Sequence, residues 1–279
     1  GTKHKKYDKG RWHVFTPRHK PNDTLYGHLT FALKYEGIDL SILNALFQTI
    51  EAGDVEIIIR SEPTGIYSRK IWFLWEWLRN EQLDIEDATT GNFIPLVNSK
   101  LQYDGQSRSS RRHRINNNLP GTRNFCPLIR KTEKLGQCID KNLSETAVKR
   151  IGQIHPDLLG RAAAFLLLKD SKASYTIEGE TAPHSRIERW GRIIGEAGKR
   201  KLTIQELEHL QTQVIKDSRF IEPGLRKEGG FVGEHDRTTG MPMPDHICAR
   251  PEDVDILWSG LIETYDHLKD SEFDAVLMA

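Results

Sequence analysis

Leu158-Leu159-Gly160-Arg161-Ala162-Ala163-Ala164-Phe165-Leu166-Leu167-Leu168, followed closely by Ser174-Tyr175-Thr176-Ile177-Glu178-Gly179, is the stretch from which the rest of this chain is read. The first part is apolar enough to demand burial, and it predicts a helix from Leu158 to about Lys169. The second predicts a shorter helix from Ser171 to Gly179, closed by a glycine in the helix C-terminal role. Ser174 and Glu178 then stand one turn apart on one face. A carboxylate at a helix end, with only Gly179 after it, can project into a neighbouring cleft. The plain alternative is a surface helix with a solvated glutamate.

Outward from there the helical signal continues. Residues 186 to about 198 are amphipathic and end on glycine. Thr203-Ile204-Gln205-Glu206 reads as a capping box, in which the Thr203 hydroxyl takes the Glu206 amide and the Glu206 carboxylate reaches back; the helix it opens runs to about Lys216. Residues 229–240 are glycine-rich around Phe231 and Val232 and predict a short β-hairpin. Pro251, with Glu252 and Asp253 behind it, starts a helix to about Leu268. Towards the N-terminus, residues 1–22 are basic, contain proline and read as a loose segment. Helices are expected over 25–35, 40–51 (capped by Asp39), 54–61 (ended before Pro63) and 66–83, the last rich in tryptophan and deeply packed. Residues 102–114 read as a polar loop with a basic peak at Ser107–Arg114, and 116–126 as irregular structure. The fold class is mainly α, a helical N-terminal region followed by a helical domain with one small hairpin. The division is 1–22, 23–145 and 146–279.

Composition narrows the function classes. The chain has 279 residues and a formal net charge of +1, so the molecule as a whole is not steered towards nucleic acid or an anionic membrane. Cys126, Cys138 and Cys248 lie far apart without a zinc or disulfide pattern, and reduced thiols are the simplest reading. No apolar run approaches the ~20 residues that span a bilayer, and no secretory leader is evident, so cytoplasm is the expected compartment. Glu234, His235, Asp236, Asp245 and His246 match no metal-ligand spacing and read as solvated, so no metal site is expected in the chain. Gly191, Gly195 and Gly198 follow no strand and form no dinucleotide fingerprint. The basic run 108–114 lacks interleaved aromatics. A solvated loop is the reading there, with Arg114 and Asn116-Asn117-Asn118 as candidates for internal hydrogen bonds.

The Ser-x-x-x-Glu-Gly run resembles the inhibitory motif of Fic-family (Fido domain) proteins. The resemblance continues in order through Trp190-Gly191, Asp217-Ser218-Arg219-Phe220, Gly224-Leu225-Arg226, Gly230-Phe231-Val232-Gly233, Pro242-Met243-Pro244 and Arg250-Pro251-Glu252-Asp253-Val254. Tyr67 to Leu78 and Arg112 to Thr122 look like the N-terminal extension of larger bacterial Fic proteins. The resemblance implies an incomplete Fic-type domain with an inhibitory helix at 171–179 and a flap at 229–250. It implies transfer of AMP from ATP, with Mg²⁺ on the phosphates, to a Ser, Thr or Tyr hydroxyl of a protein substrate. Ser174, Glu178 and Gly179 would be inhibitory, Glu178 occupying the arginine that otherwise holds the γ-phosphate. Val232, Gly233, Glu234 and His235 would lie over the nucleotide, Gly233 allowing close backbone approach to it. Gly230, Phe231 and Val232 would dock the target segment.

One departure is large. The family's catalytic signature, His-Pro-Phe-x-Asp/Glu-Gly-Asn-Gly-Arg, does not occur in these residues, and His155-Pro156-Asp157 shares only its first pair. The expectation is therefore a piece of a longer, self-inhibited adenylyltransferase, cut before its catalytic loop and inactive alone. No residue of this chain is expected to be catalytic. Residues 236–241 form a polar insert relative to shorter family flaps. No membrane or nucleic-acid partner is expected, and a homo-oligomer stays open. The alternative is a non-enzymatic regulatory module that contacts protein or DNA in a toxin–antitoxin-like system.

Overall fold

In a computed structural model the described residues are 5–6, 13–142, 145–146, 149–150, 152, 156–177, 184–196, 199–214, 224–271 and 273–278. By packing, Gly1–Glu133 together with Glu263–Ala279 form one unit and Lys134–Ile262 a second. The fold is mainly α, with small sheets of two or three strands.

The first unit begins with a two-residue antiparallel pair, β1 (Lys5–Lys6) and β2 (His13–Val14), and a 3₁₀ turn at Pro17–His19. Four helices follow: α1 (Leu25–Tyr35), α2 (Leu40–Phe47), α3 (Ala52–Ser61) and α4 (Ile66–Arg79). The first three starts have a local cause. Thr24 Oγ1 accepts the Gly27 amide at 3.1 Å. The Asp39 carboxylate takes the Ser41 hydroxyl at 2.7 Å and the Ser41 and Ile42 amides at 3.1 Å. Those bonds, led by the Ser41 hydroxyl, lower the Asp39 pKa. Glu51 and Asp54 form a capping box for α3. α4 stops at Asn80, which turns left-handed with φ 57°, so the helix expected to reach residue 83 is four residues shorter. α2 likewise ends at Phe47 rather than 51.

Leu29 and Leu33 of α1, Leu43 and Phe47 of α2, and Val55, Ile58 and Ile59 of α3 form one core with α4. Residues 68–76 of α4 are buried without interruption, so over these turns the helix has no solvent face. Most of its polar side chains are then satisfied from inside the unit, while Trp75 Nε1 and Arg79 Nε are buried without a hydrogen bond among the described residues. Arg69 donates to the Asn92 and Gly65 carbonyls at 2.8 and 3.2 Å. Lys70 Nζ donates to the Leu96 carbonyl at 2.7 Å, and burial pushes its pKa down to about 8. Gln102 closes both its amide bonds on the Ile38 backbone, N–H and C=O, at 2.8 Å each.

Glu76 is the most heavily used of these groups. Trp72 Nε1 donates to its Oε1 at 2.7 Å and the Leu83 amide at 3.0 Å. Arg112 grips both oxygens, Nη2 to Oε1 at 2.8 Å and Nε to Oε2 at 3.0 Å, while His113 Nε2 lies 3.0 Å from Oε2. The remaining Arg112 donors go to the Leu83 and Ile85 carbonyls and to Asp87, each at 2.8 Å. The polar loop and irregular stretch expected over 102–126 therefore contain regular structure. β4 (Arg108–Ser110) is antiparallel to β5 (Ile115–Asn117), which runs parallel to β3 (Ile94–Pro95) on its other side. The basic peak is turned inward at Arg112, His113 and Arg114. Arg114 donates to the Ala88, Thr89 and Gly91 carbonyls at 2.6–3.1 Å, the internal role open to it from sequence. Asn118 also serves internally, its Oδ1 accepting the Val97 amide at 2.8 Å.

In the second unit the described helices are α5 (Glu133–Asp140), α6 (Pro156–Ile177), α7 (His184–Glu196), α8 (Ile204–Val214) and the greater part of α9 (Pro251–Leu268). The end of α9 and a last short turn, α10 (Ala275–Met278), belong to the first unit. The two helices expected over 158–169 and 171–179 are one, continuous through residue 170. Their expected burial fails too: Phe165 is 66% exposed, and Leu158 and Leu166 are also exposed. One face of α6 is closely covered, where Gly191 of α7 lets the helices approach; a Cβ there would stand 3.5 Å from Ser171 Oγ and 3.7 Å from Leu167. At α8 half of the capping box forms. The Glu206 amide donates to Thr203 Oγ1 at 3.1 Å, while the Glu206 carboxylate takes Arg200 Nε at 3.1 Å. Among the described residues no helix is long and apolar enough to cross a membrane.

Burial alone would push the Glu76 carboxyl up, but hydrogen bonds from His113, Arg112, Trp72 and the Leu83 amide overcome it and hold the pKa at about 2 against an ordinary 4.5. A depressed carboxyl contributes stability that is present above the ordinary value and lost as pH falls towards the folded one. The urea midpoint is expected to drop as pH falls from about 4.5 to about 2. Glu76→Gln should cost about 3 kcal/mol at neutral pH and flatten that slope. An unchanged slope in the variant would exclude this carboxylate as its source.

Candidate functional site

β6 (Phe231–His235) and β7 (Pro242–Ile247) pair antiparallel, with Phe231 opposite Ile247 and His235 opposite Pro242. The hairpin expected from the glycine-rich sequence is present. Its register shifts between Val232 and Gly233, where Gly233 takes φ 151°. A Cβ at that position would lie 2.3 Å from the Met243 carbonyl oxygen and 2.8 Å from the Asp245 amide. The sequence reading reserved Gly233 for approach to a ligand; in the structure the neighbouring strand already uses that space. The polar insert 236–241 is an ordered connection. Asp236 Oδ1 accepts from the Thr239 and Thr238 amides at 2.6 and 2.9 Å and from the Thr239 hydroxyl at 2.9 Å. These bonds, the Thr239 amide foremost, lower the Asp236 pKa.

Both faces of the ribbon meet water. Every residue of β7 is exposed, Ile247 at 73%, and Val232 of β6 at 62%. Glu234 and His235 are exposed as well, and the His235 ring packs edge-on against half-buried Phe231 at 5.2 Å. Among the described residues no third strand flanks the pair. Pro242 and Pro244 remove two donors from β7, which leaves β6 as the edge better able to extend a ladder. Gly230 anchors the base of the hairpin by accepting the Cys248 amide at 3.0 Å.

Of the inhibitory residues, Ser174 lies within α6, but its side chain is outside the description. Glu178 and Gly179 lie outside the described residues, as does Asp217-Ser218-Arg219-Phe220. The serine of this helix with a defined environment is Ser171, fully buried, its hydroxyl donating to the Leu167 carbonyl at 2.6 Å.

Sequence reasoning did not anticipate a groove of about 360 Å³ in the second unit, lined by Trp190, Ile204, Leu207, Leu210 and Leu225. Gln211 Oε1 accepts the Gly224 amide at 2.6 Å at its margin. The amphipathic patterns of α7 and α8 carry the signal for it, but a face turned to a groove reads like one turned to a core. Among the described residues no three His, Cys, Asp or Glu side chains gather to hold a metal ion. The three cysteines are free thiols, and burial pushes Cys126 up to about 11.

No protein-family model, no curated protein and no solved structure matches this chain.

Gly233→Val should force the strands apart at the register shift. Amide exchange across Val232–His235 is expected to quicken at least about tenfold, a local loss of about 1.4 kcal/mol. Exchange as slow as in the parent protein would show that the close crossing of β7 does not hold the ribbon.

Proposed function

We propose that this chain is the regulatory and target-docking portion of a self-inhibited protein adenylyltransferase. The observation that carries the reading is the two-stranded ribbon with an open β6 edge, standing where the Fic resemblance assigns the flap. An extended segment of a target protein added to β6 would gain main-chain hydrogen bonds, which fix its register and so deliver one hydroxyl to one place. In sequence, Glu178-Gly179 follows directly on the last residue of α6, Ile177.

In the reaction, a Ser, Thr or Tyr hydroxyl of the target attacks the α-phosphate of ATP. The new bond is P–O to the target, the bond broken is that to pyrophosphate, and the hydroxyl proton passes to a general base. That base and the phosphate-binding turn belong to the His-Pro-Phe-x-Asp/Glu-Gly-Asn-Gly-Arg signature, which residues 1–279 do not contain. Mg²⁺ would come bound to the ATP phosphates; the described residues supply no cluster to hold it alone. Glu178 acts by competition. A guanidinium fork matches a carboxylate as well as a phosphate, so an arginine paired with Glu178 no longer grips the γ-phosphate.

The chain by itself is expected to incorporate no label from α-³²P-ATP. Joined to a segment carrying the signature, it should label itself slowly, and Glu178→Gly should raise that labelling at least tenfold, equivalent to about 1.4 kcal/mol of relieved competition. Equal labelling of parent and variant would remove Glu178 from the regulatory role.

A further inference from the structure

At the N-terminal side of the first unit, the 3₁₀ turn and α1 enclose a cleft of about 550 Å³ whose chemistry the adenylylation reading does not use. Arg18, Lys20 and Lys34 line it, and among the described residues none of the three is ion-paired with a carboxylate. Two half-buried rings, Phe31 and Tyr35, form part of the same wall. They pack on each other at 4.9 Å and on Phe15 at 5.1 and 4.8 Å, all tilted or edge-on rather than stacked face to face. Each ring is half-buried on the cleft wall, with His19 edge-on to Tyr35 at 6.0 Å, so a planar group would meet the part left uncovered. Lys34 Nζ stands 5.0 Å from the Tyr35 centroid, so an anion held by that ammonium keeps its own ring within reach of the aromatic wall.

Among the described residues the single carboxylate on the wall is Glu62, engaged by the Tyr26 hydroxyl at 2.6 Å. It discourages a second anion beside it and offers an acceptor to ring N–H groups. A planar heterocycle with a phosphate attached satisfies all three kinds of wall, whereas an acidic peptide uses only the cations. The N-terminal sequence carries the same residue types. Residues 1–22 hold seven Lys and Arg against one Asp, with Tyr7, Trp12 and Phe15 interleaved. The chain-wide charge of +1 conceals this segment because acidic residues elsewhere balance it. Cations interleaved with aromatics over a length of chain suit successive phosphates and bases better than one free nucleotide. The bases must be unpaired, since a stacking wall needs exposed base faces.

We propose that this cleft binds a nucleotide unit of single-stranded nucleic acid, phosphate on Arg18, Lys20 and Lys34 and base against Phe31 and Tyr35. The proposal does not rest on the adenylylation reading.

The test is fluorescence anisotropy of a labelled oligothymidylate of about a dozen nucleotides, titrated with the full chain at about 50 mM salt and upward. Binding is expected to weaken with salt, log K falling by about 0.7 per phosphate engaged for each log unit. The double variant Arg18→Glu/Lys20→Glu, and Lys34→Glu separately, should each weaken binding at least about tenfold and flatten the salt slope. Tyr35→Leu should weaken binding with the slope unchanged, which separates stacking from charge. Lys100→Glu, exposed and away from the cleft wall, should bind as the parent does. Thermal midpoints of the exposed-charge variants should match the parent, so that lost binding is not lost fold. Absence of binding at low salt, or cleft variants that bind like the parent, would overturn the proposal. Equal displacement by polyglutamate of matched charge would reduce the cleft to a general anion site. Equal displacement by AMP at matched nucleotide concentration would replace the strand with the free nucleotide.

Discussion

The Glu76 carboxylate and the Arg112 guanidinium meet in a two-pronged ion pair, and the architecture of the first unit follows from it. Glu76 projects from the stretch of α4 that has no wetted face. Its charge can stay only because Trp72, Leu83, Arg112 and His113 all point donors at it. Arg112 in turn spends its other donors on the carbonyls of Leu83 and Ile85 and on Asp87. One contact thus sets where α4 ends, how the chain leaves it, and where the β4–β5 turn sits. The Trp72 indole adds a face to the arrangement, 5.0 Å from the guanidinium centre.

The second unit is built differently. Among its described residues Ile187 is the one buried hydrophobic, while α6, the ribbon and the Trp190 groove present apolar side chains to water. A dense polar-apolar core holds one unit, whereas in the other the described apolar side chains stay largely open to water. The ribbon shows how such a part keeps its shape. It is held by the Gly233 crossing, the Asp236 turn and the Cys248–Gly230 bond, none of which needs a buried face.

Signals were readable wherever their cause was local. Asp39 caps α2 because its carboxylate reaches amides two and three residues on, and the same sequence would do so in almost any surroundings. Pro251 with two acids behind it begins α9, which ends at Leu268 as the pattern implies. The glycine-rich hairpin belongs to this class too. Basic residues between 108 and 114 do not. Written in a row they read as a solvated loop, and only the Glu76 carboxylate and the carbonyls of residues 83–91, distant in sequence, make Arg112, His113 and Arg114 internal. The continuous run of α6 misled in the opposite direction, since hydrophobicity states a preference for burial and cannot supply the surface that would cover it.

The sequence by itself determined the helical class, the caps, the hairpin and the order of motifs that resemble a Fic protein, because these depend on neighbours within a few residues. The tertiary structure alone decided which charges are interior, which glycine serves a strand crossing, and which cations and rings share the cleft beside α1. Those outcomes depend on groups far apart along the chain meeting at hydrogen-bond distance, and spacing in a sequence carries no measure of that distance.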